Sequence, residues 1–222
     1  MRYDPAAPEW LGRLAAGLDP LQPAWEPVPD GDRPSAVLAL LSRADDPDLV
    51  VTVRAAGLQF HAGQLSFPGG GREPGDVNPA DTALRETREE IGLDSARVTV
   101  VGQLPVRPLS ASRNRVVPVV GLWCGADVLL AGDPREVERL VRWPVSALAD
   151  PVHRVSARHP RGGTGPAFVL DDFFLWGFTA GLADRLLRLG GWEQPWDAAR
   201  VVEVPRRFSG DRDRSRSAEP RA

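Results

Sequence analysis

Residues Phe67 to Leu93 read FPGGGREPGDVNPADTALRETREEIGL, a glycine-rich turn leading into an amphipathic helix that carries Arg85, Glu86, Glu89 and Glu90. Carboxylate oxygens are the usual ligands of hard divalent cations. Glycine backbone comes close to a metal or a phosphate because no Cβ intervenes. Such cations bind diphosphates, so the chemistry suggested is metal-assisted cleavage of a diphosphate bond. An isolated run of glutamates would read as a solvated helix face with one ion pair. The glycine turn directly before it makes the combination more specific than either part.

The helix is well signposted. Asn78 is its expected N-cap, Pro79 its first helical residue, and Gly92 stands just past its end. Ala80, Ala83, Leu84, Thr87 and Ile91 fall on one stripe, which predicts a buried face. Glu86 and Glu90 are i,i+4 neighbours on another face and Glu89 is three residues from Glu86, so all three can point into a common volume. Arg85 and Glu89 are also i,i+4, which lets the guanidinium hold one carboxylate.

Other elements must position this helix. Strands are expected at 36–41, 49–54, 97–103, 116–123 and 168–176, with a short closing piece at 201–204. Pro118 suits an edge strand or a bulge. Residues 55–75 read as a long loop. Helices are expected at 10–18, 134–142 and 178–189. This mixture lacks regular strand–helix–strand alternation and points to α+β layers. Residues 1–34 form a Pro- and Asp-rich N-terminal extension, 35–208 one domain, and 209–222 (SGDRDRSRSAEPRA) an expected disordered tail.

At 222 residues, with 42% hydrophobic and 26% charged residues, the chain is long enough for one buried core. Its formal net charge of −3 argues against a non-specific nucleic-acid grip, so any anion site must be local. All 27 basic residues are Arg, which alongside the many Ala, Gly and Pro residues reflects GC-rich coding. One cysteine, Cys124, excludes an internal disulfide and a cysteine-based zinc site, and its apolar setting makes it a core residue. No apolar run is long enough to span a membrane and the N-terminus lacks an apolar signal core, so a cytoplasmic enzyme is expected. Oligomeric state is not legible; a homodimer is allowed for.

The stretch from Gly70 resembles the Nudix box, G-x5-E-x7-R-E-U-x-E-E-x-G-U, with U aliphatic. Arg85, Glu86, Glu89, Glu90, Gly92 and Leu93 match it, and Thr87 stands at an aliphatic position. Asp76 falls at the first acidic position, giving the longer spacing G-x5-D-x8-R-E. That spacing resembles the coenzyme A diphosphatase branch of the Nudix family. The upstream segment LVVTVRAAGLQFHAGQLSFPGG resembles the branch's signature through Thr52, Arg54, Ala55, Gly63 and Phe67 to Gly70. Gln59 replaces an Arg of that signature, and Ser112-Arg113-Asn114 replaces a segment that often reads S/T-G-Y. The segments RVVPVVGLW, REVERLVRWPVSAL and FFLWGFTAGL extend the likeness over about residues 36–190.

The resemblance implies the Nudix fold, a mixed β-sheet sandwiched between α-helices, and a Mg²⁺- or Mn²⁺-dependent hydrolase. Glu86 and Glu90 would be ligands, together with Glu89 and the Gly70 carbonyl region, and Glu89 would also be the general base. Glu136 and Glu138 are the alternative base or outer ligand. The implied reaction cleaves coenzyme A or acyl-coenzyme A to 3′,5′-ADP and 4′-phosphopantetheine or its acyl form. The 3′-phosphate calls for forked guanidinium donors, for which Arg54, Arg72, Arg113 and Arg115 are candidates. Two alternatives stay open: hydrolysis of another nucleoside diphosphate derivative, such as a nucleotide sugar or dinucleotide, and a non-catalytic Nudix-fold ligand sensor. His61 is expected to shape the loop; His153 and His159 lack any partner spacing. Trp176 belongs to the closing strand.

Overall fold

The computed structural model describes residues 8–57, 63–109, 112–123, 129–159 and 162–209. Helix α1 (Glu9–Ala16) precedes β1 (Arg33–Ser42), β2 (Asp48–Arg54), β3 (Leu65–Ser66), β4 (Gly69–Gly71) and α2 (Pro79–Ile91). Strands β5 (Val98–Gln103), β6 (Arg107–Leu109), β7 (Asn114–Trp123) and β8 (Val137–Pro144) follow, then α3 (Val145–Ala149). The chain continues through β9 (Arg154–Arg158), β10 (Thr164–Leu170), β11 (Phe173–Leu175), α4 (Gly177–Gly190), β12 (Val201–Glu203) and α5 (Arg206–Ser209).

Among the described residues, eight strands form one mixed sheet, with β1 parallel to β7 over their full lengths. Both faces of this sheet are buried, so its central strands read as continuous apolar runs with alternate residues facing opposite sides. Ala36, Leu38, Leu40, Val117 and Val119 pack against Ala83 and Ile91 of α2. Ala39, Leu41, Val51 and Val120 pack on the other side with Trp10 and Leu14 of α1 and Ala183, Leu186 and Leu187 of α4. The architecture is therefore α+β, with a mixed sheet between helical layers. A second sheet, ordered β11–β10–β9–β12, extends from the core.

The arrangement of β1 to β4 positions the site. Strands β1 and β2 pair at Leu40↔Val50 and Leu41↔Leu49. Beyond that point β3 pairs with β2 and β4 pairs with β1. Because β7 and β8 occupy the outer edges of β1 and β2, the segment Leu65–Gly71 fills the opening between the diverging strands. Close approach explains the glycine at 69: a Cβ there would lie 2.4 Å from the Ala36 carbonyl oxygen.

Several expectations are corrected. The 134–142 segment is a turn followed by strand β8, not a helix. Its residues pair antiparallel with β2, and Leu140 and Val141 pack on opposite faces of the sheet. The helical spacing of VERLVR is equally compatible with period-two alternation, and pairing with β2 decides between them. The expected strand 168–176 is a hairpin, because Asp171 adopts a left-handed φ of 50° between β10 and β11. Pro118 lies in a central strand, not an edge. It tolerates the missing N–H because it stands opposite the break between β5 and β6, where its carbonyl accepts from Leu104 N–H at 2.8 Å. The 55–75 loop contains β3 and β4.

The boundary expected between residues 34 and 35 falls inside β1, and α1 shares the main core. Gln59, His61, Cys124 and residues 210–222 lie outside the described residues, whereas Ser209 closes α5. No helix among the described residues is long and apolar enough to cross a membrane.

Candidate active site

Helix α2 begins with a reciprocal cap. Asn78 Oδ1 accepts from Asp81 N–H, and the Asp81 carboxylate accepts from Asn78 N–H. It ends at Gly92 in the left-handed conformation, φ 69°. Ala83, Thr87 and Ile91 are fully buried on the predicted stripe. Thr87 fits that apolar face because its hydroxyl donates to the Ala83 carbonyl at 2.6 Å.

Arg85 is the hub of the site. Its guanidinium donates to Asp76 (3.3 and 3.0 Å), Glu86 (3.0 Å), Glu89 (3.1 Å) and the Gly71 carbonyl (2.8 Å). Asp76 is buried and also accepts from Glu73 N–H at 2.9 Å and the Thr82 hydroxyl at 2.7 Å. Burial works to raise the Asp76 pKa, but the bonds from Arg85, Glu73 and Thr82 outweigh it and hold the carboxyl below its ordinary range. Surrounded by carboxylates, Arg85 is in turn shifted upward. These bonds fasten the glycine-rich turn to the helix.

Glu86 and Glu90 face that turn. The Glu90 carboxylate is 4% exposed and accepts from Gly69 N–H at 3.2 Å. It makes no ion pair among the described residues, and burial pushes its pKa up to about 7 against the pull of the Gly69 amide and the field of Arg54. Burial also raises Glu86, opposed by Arg85 and reinforced by Glu89 and Glu136. A Cβ on Gly70 would lie 2.3 Å from Glu86 Oε1, so the carboxylate packs directly on this backbone.

Glu89 is not drawn into that pair. Its side chain is half exposed, held at the rim by Arg85. Among the described residues no three Asp, Glu, His or Cys side chains form a ready-made metal cage. Two buried carboxylates against accessible peptide backbone, carrying charge that burial disfavours, nonetheless fit a divalent cation completed by backbone oxygen and water.

Glu136 acts on both carboxylates from the other side of the site. The loop before β8 brings it there: Gly132 N–H donates to the Glu90 carbonyl at 2.8 Å, and Ala55 N–H to the Glu136 carbonyl at 2.9 Å. Glu138 lies on β8 and lines a cleft of about 440 Å³ with Ala55, Gly57, Pro134 and Arg135. Neither residue is on a helix as expected.

The candidate arginines divide into two places. Arg54 is near Glu90, and its Nε is buried without a hydrogen-bond partner among the described residues. Arg72 follows the glycine turn and lies 5.9 Å over the Trp25 ring. Arg113 and Arg115 instead share Asp32 at 3.7 and 3.3 Å, just before β1 and at the end of that strand that pairs with β4. His153 bonds the Val169 carbonyl and His159 packs against Trp176, both away from the carboxylates. Sequence reasoning missed the Asp76–Arg85 clamp, although the spacing of Asp76 was a signal for it.

A model of the NUDIX domain matches residues 32–161, and the chain belongs to the Nudix family. It is a Nudix hydrolase, an enzyme class that acts on nucleoside diphosphate derivatives and generally uses divalent metal ions. It is 33% identical to the uncharacterised Nudix hydrolase NudL of Cronobacter sakazakii, covering 83% of this chain and 97% of that protein. NudL of Shigella flexneri is 34% identical over 77% of this chain and 90% of its own, and NudL of Photorhabdus laumondii 34% over 75% and 89%. The Nudix hydrolase RenU of M. smegmatis superposes with a TM-score of 0.49 at 16% identity, covering 74% of this chain and 89% of that one. That likeness is too distant to add to the assignment.

Proposed function

We propose that this hydrolase cleaves the diphosphate of coenzyme A or acyl-coenzyme A, releasing 3′,5′-ADP and 4′-phosphopantetheine or its acyl form. The observation carrying the catalytic part is the buried Glu86–Glu90 pair laid against Gly69 and Gly70. The longer Asp76–Arg85 spacing and the upstream Thr52, Arg54 and FPGG match support the substrate.

Glu86 and Glu90, with the Gly70 carbonyl and Glu89, would hold Mg²⁺ or Mn²⁺. Such an ion would offset diphosphate charge and acidify a water for in-line attack on phosphorus. Glu89 would accept the proton from that water as general base; it is half exposed and held at the rim by Arg85, within reach of solvent. Glu136 is the second candidate, because it acts electrostatically on both ligands. Arg85 holds Asp76, Glu86 and Glu89 in register and does not itself need to touch substrate. Arg54 and Arg72 flank the diphosphate position, while Arg113 and Arg115 receive the 3′-phosphate.

Incubation of the protein with coenzyme A and Mg²⁺ or Mn²⁺, with products resolved by mass spectrometry, tests the assignment. Both products with wild type and neither with Glu90→Gln is the expected result. Cleavage of a nucleotide sugar or dinucleotide but not of coenzyme A would show that Gln59 and the Ser112–Asn114 segment accompany a different specificity.

A further inference from the structure

A cavity of about 170 Å³ lies beside the N-terminal end of α2, lined by Gln22, Trp25, Val28, Val106, Arg115 and Val117, with Glu26 at its rim. Its volume exceeds the ~150 Å³ of a cavity known to hold benzene, and it opens to solvent at Glu26 and Val106, which leaves room for a second fused ring. Two of its lining side chains have buried polar atoms without a hydrogen-bond partner among the described residues. They are the Trp25 indole N–H, a donor only, and Gln22 Oε1, an acceptor. Buried polar groups are ordinarily paired, so an unpaired donor and acceptor at one cavity ask for a ligand presenting the complementary pair.

The backbone around these residues is fixed. Gln22 N–H donates to Gln103 Oε1 at 3.1 Å, and Trp25 N–H to the Val77 carbonyl at 3.2 Å. Register places the cavity relative to the catalytic turn: Val117 pairs with Ala36, and Ala36 with Gly70. Two strand spacings, about 10 Å, therefore separate its wall from Gly70. Val117 and Ala36 both pack on the α2 side of the sheet, the side of Glu86. Arg72 over Trp25 stands between the two places. Arg113 and Arg115 share Asp32 at the cavity's other side, and Glu26 stands at its rim, so Arg115 is the one guanidinium among the lining residues.

We propose that this cavity is the subsite for the adenine base of the substrate. The ring lies between the valines and the Trp25 side chain. Its exocyclic amine donates to Gln22 Oε1, and an adjacent ring nitrogen accepts from Trp25 Nε1. The diphosphate then runs past Arg72 toward Gly70, and Arg115 faces a phosphate on the ribose. This subsite rests on the nucleotide-diphosphate reading of the active site, and it holds for any adenosine-bearing substrate.

The test uses three variants of the full chain with Mg²⁺: Trp25→Phe, Gln22→Leu and Val106→Phe, the last filling the cavity from its partly exposed rim. On whichever adenosine diphosphate derivative the protein cleaves, coenzyme A or ADP-ribose, KM rises about tenfold in the first two, with a much smaller change in kcat. Val106→Phe raises it at least as much. Titration with adenosine 3′,5′-bisphosphate gives the same order of affinities without turnover, and thermal melts confirm that each variant folds. Unchanged KM and unchanged bisphosphate affinity in all three overturn the subsite. Failure to cleave coenzyme A, with ADP-ribose still cleaved and still sensitive to the variants, overturns only the coenzyme A assignment.

Discussion

Two arginine-centred clusters interrupt the apolar interior, and they are built to opposite ends. Around Arg85, the carboxylates of Glu73, Asp76, Glu86 and Glu89 lie within 4 Å of a single guanidinium, and Glu90 beside them makes no ion pair among the described residues. Around Arg154, which is 1% exposed, charges balance. Asp184 binds both Arg154 and Arg188, Glu193 lies 4.0 Å from Arg154, and Phe168 and Trp196 flank the guanidinium at 5.2 and 4.5 Å. Balanced charge under aromatic rings joins β9 to α4. Surplus negative charge at a backbone turn is poised for a cation. The comparison teaches that the sign of the residual charge, rather than the presence of a buried ion pair, separates a binding site from a clasp.

The largest expected effect is in the second cluster. Arg154→Met leaves Asp184 buried and under-compensated and costs about 3–5 kcal/mol of stability in urea unfolding. Activity per folded molecule stays at the wild-type level. Adding Asp184→Leu should recover much of the loss; if it deepens the loss, the balanced-charge reading is wrong.

In the first cluster the sensitivity reverses. Glu86→Gln or Glu90→Gln lowers kcat on the order of 10³-fold, the loss of several kcal/mol of charge stabilisation, with the fold retained. Near wild-type rates in both variants would remove the metal assignment.

Metal removal sharpens the same contrast. Glu90 has a folded-state pKa of about 7, above its ordinary 4.5. Its contribution to stability is therefore fully present below pH 4.5 and is lost as pH rises through 7, by up to about 3 kcal/mol. Chelated protein should melt at a lower temperature at pH 8 than at pH 6, and Mg²⁺ or Mn²⁺ should reverse the drop. In Glu90→Gln this component of the pH dependence disappears.

Gly70→Ala gives the smallest change. The methyl group would push aside the Glu86 carboxylate, and activity should fall about 10–100-fold, as when the support of a metal ligand is disturbed. Unchanged kinetics would mean Glu86 does not rest on this backbone in the working enzyme.

Much of the chemistry was legible because it is local. Caps, the buried stripe of α2, the spacing of Arg85, Glu86, Glu89 and Glu90, and the glycines before them are set within 27 residues, Phe67 to Leu93, by helical periodicity and by the missing Cβ. What tertiary structure alone decided is which of these groups lose water. Glu90 is buried and Glu89 is not, though they are adjacent, because β4 lies in the opening between β1 and β2 and covers only one of them. Residues 134–142 became a turn and a strand because β2 offered an edge to pair with, and that brought Glu136 to the carboxylates. Gln22 and Trp25 meet Arg115 and Val117 across some 90 residues of chain. Sequence periodicity reports neighbours along one element. Burial, and the charge it leaves unpaired, depends on what the rest of the chain lays over them.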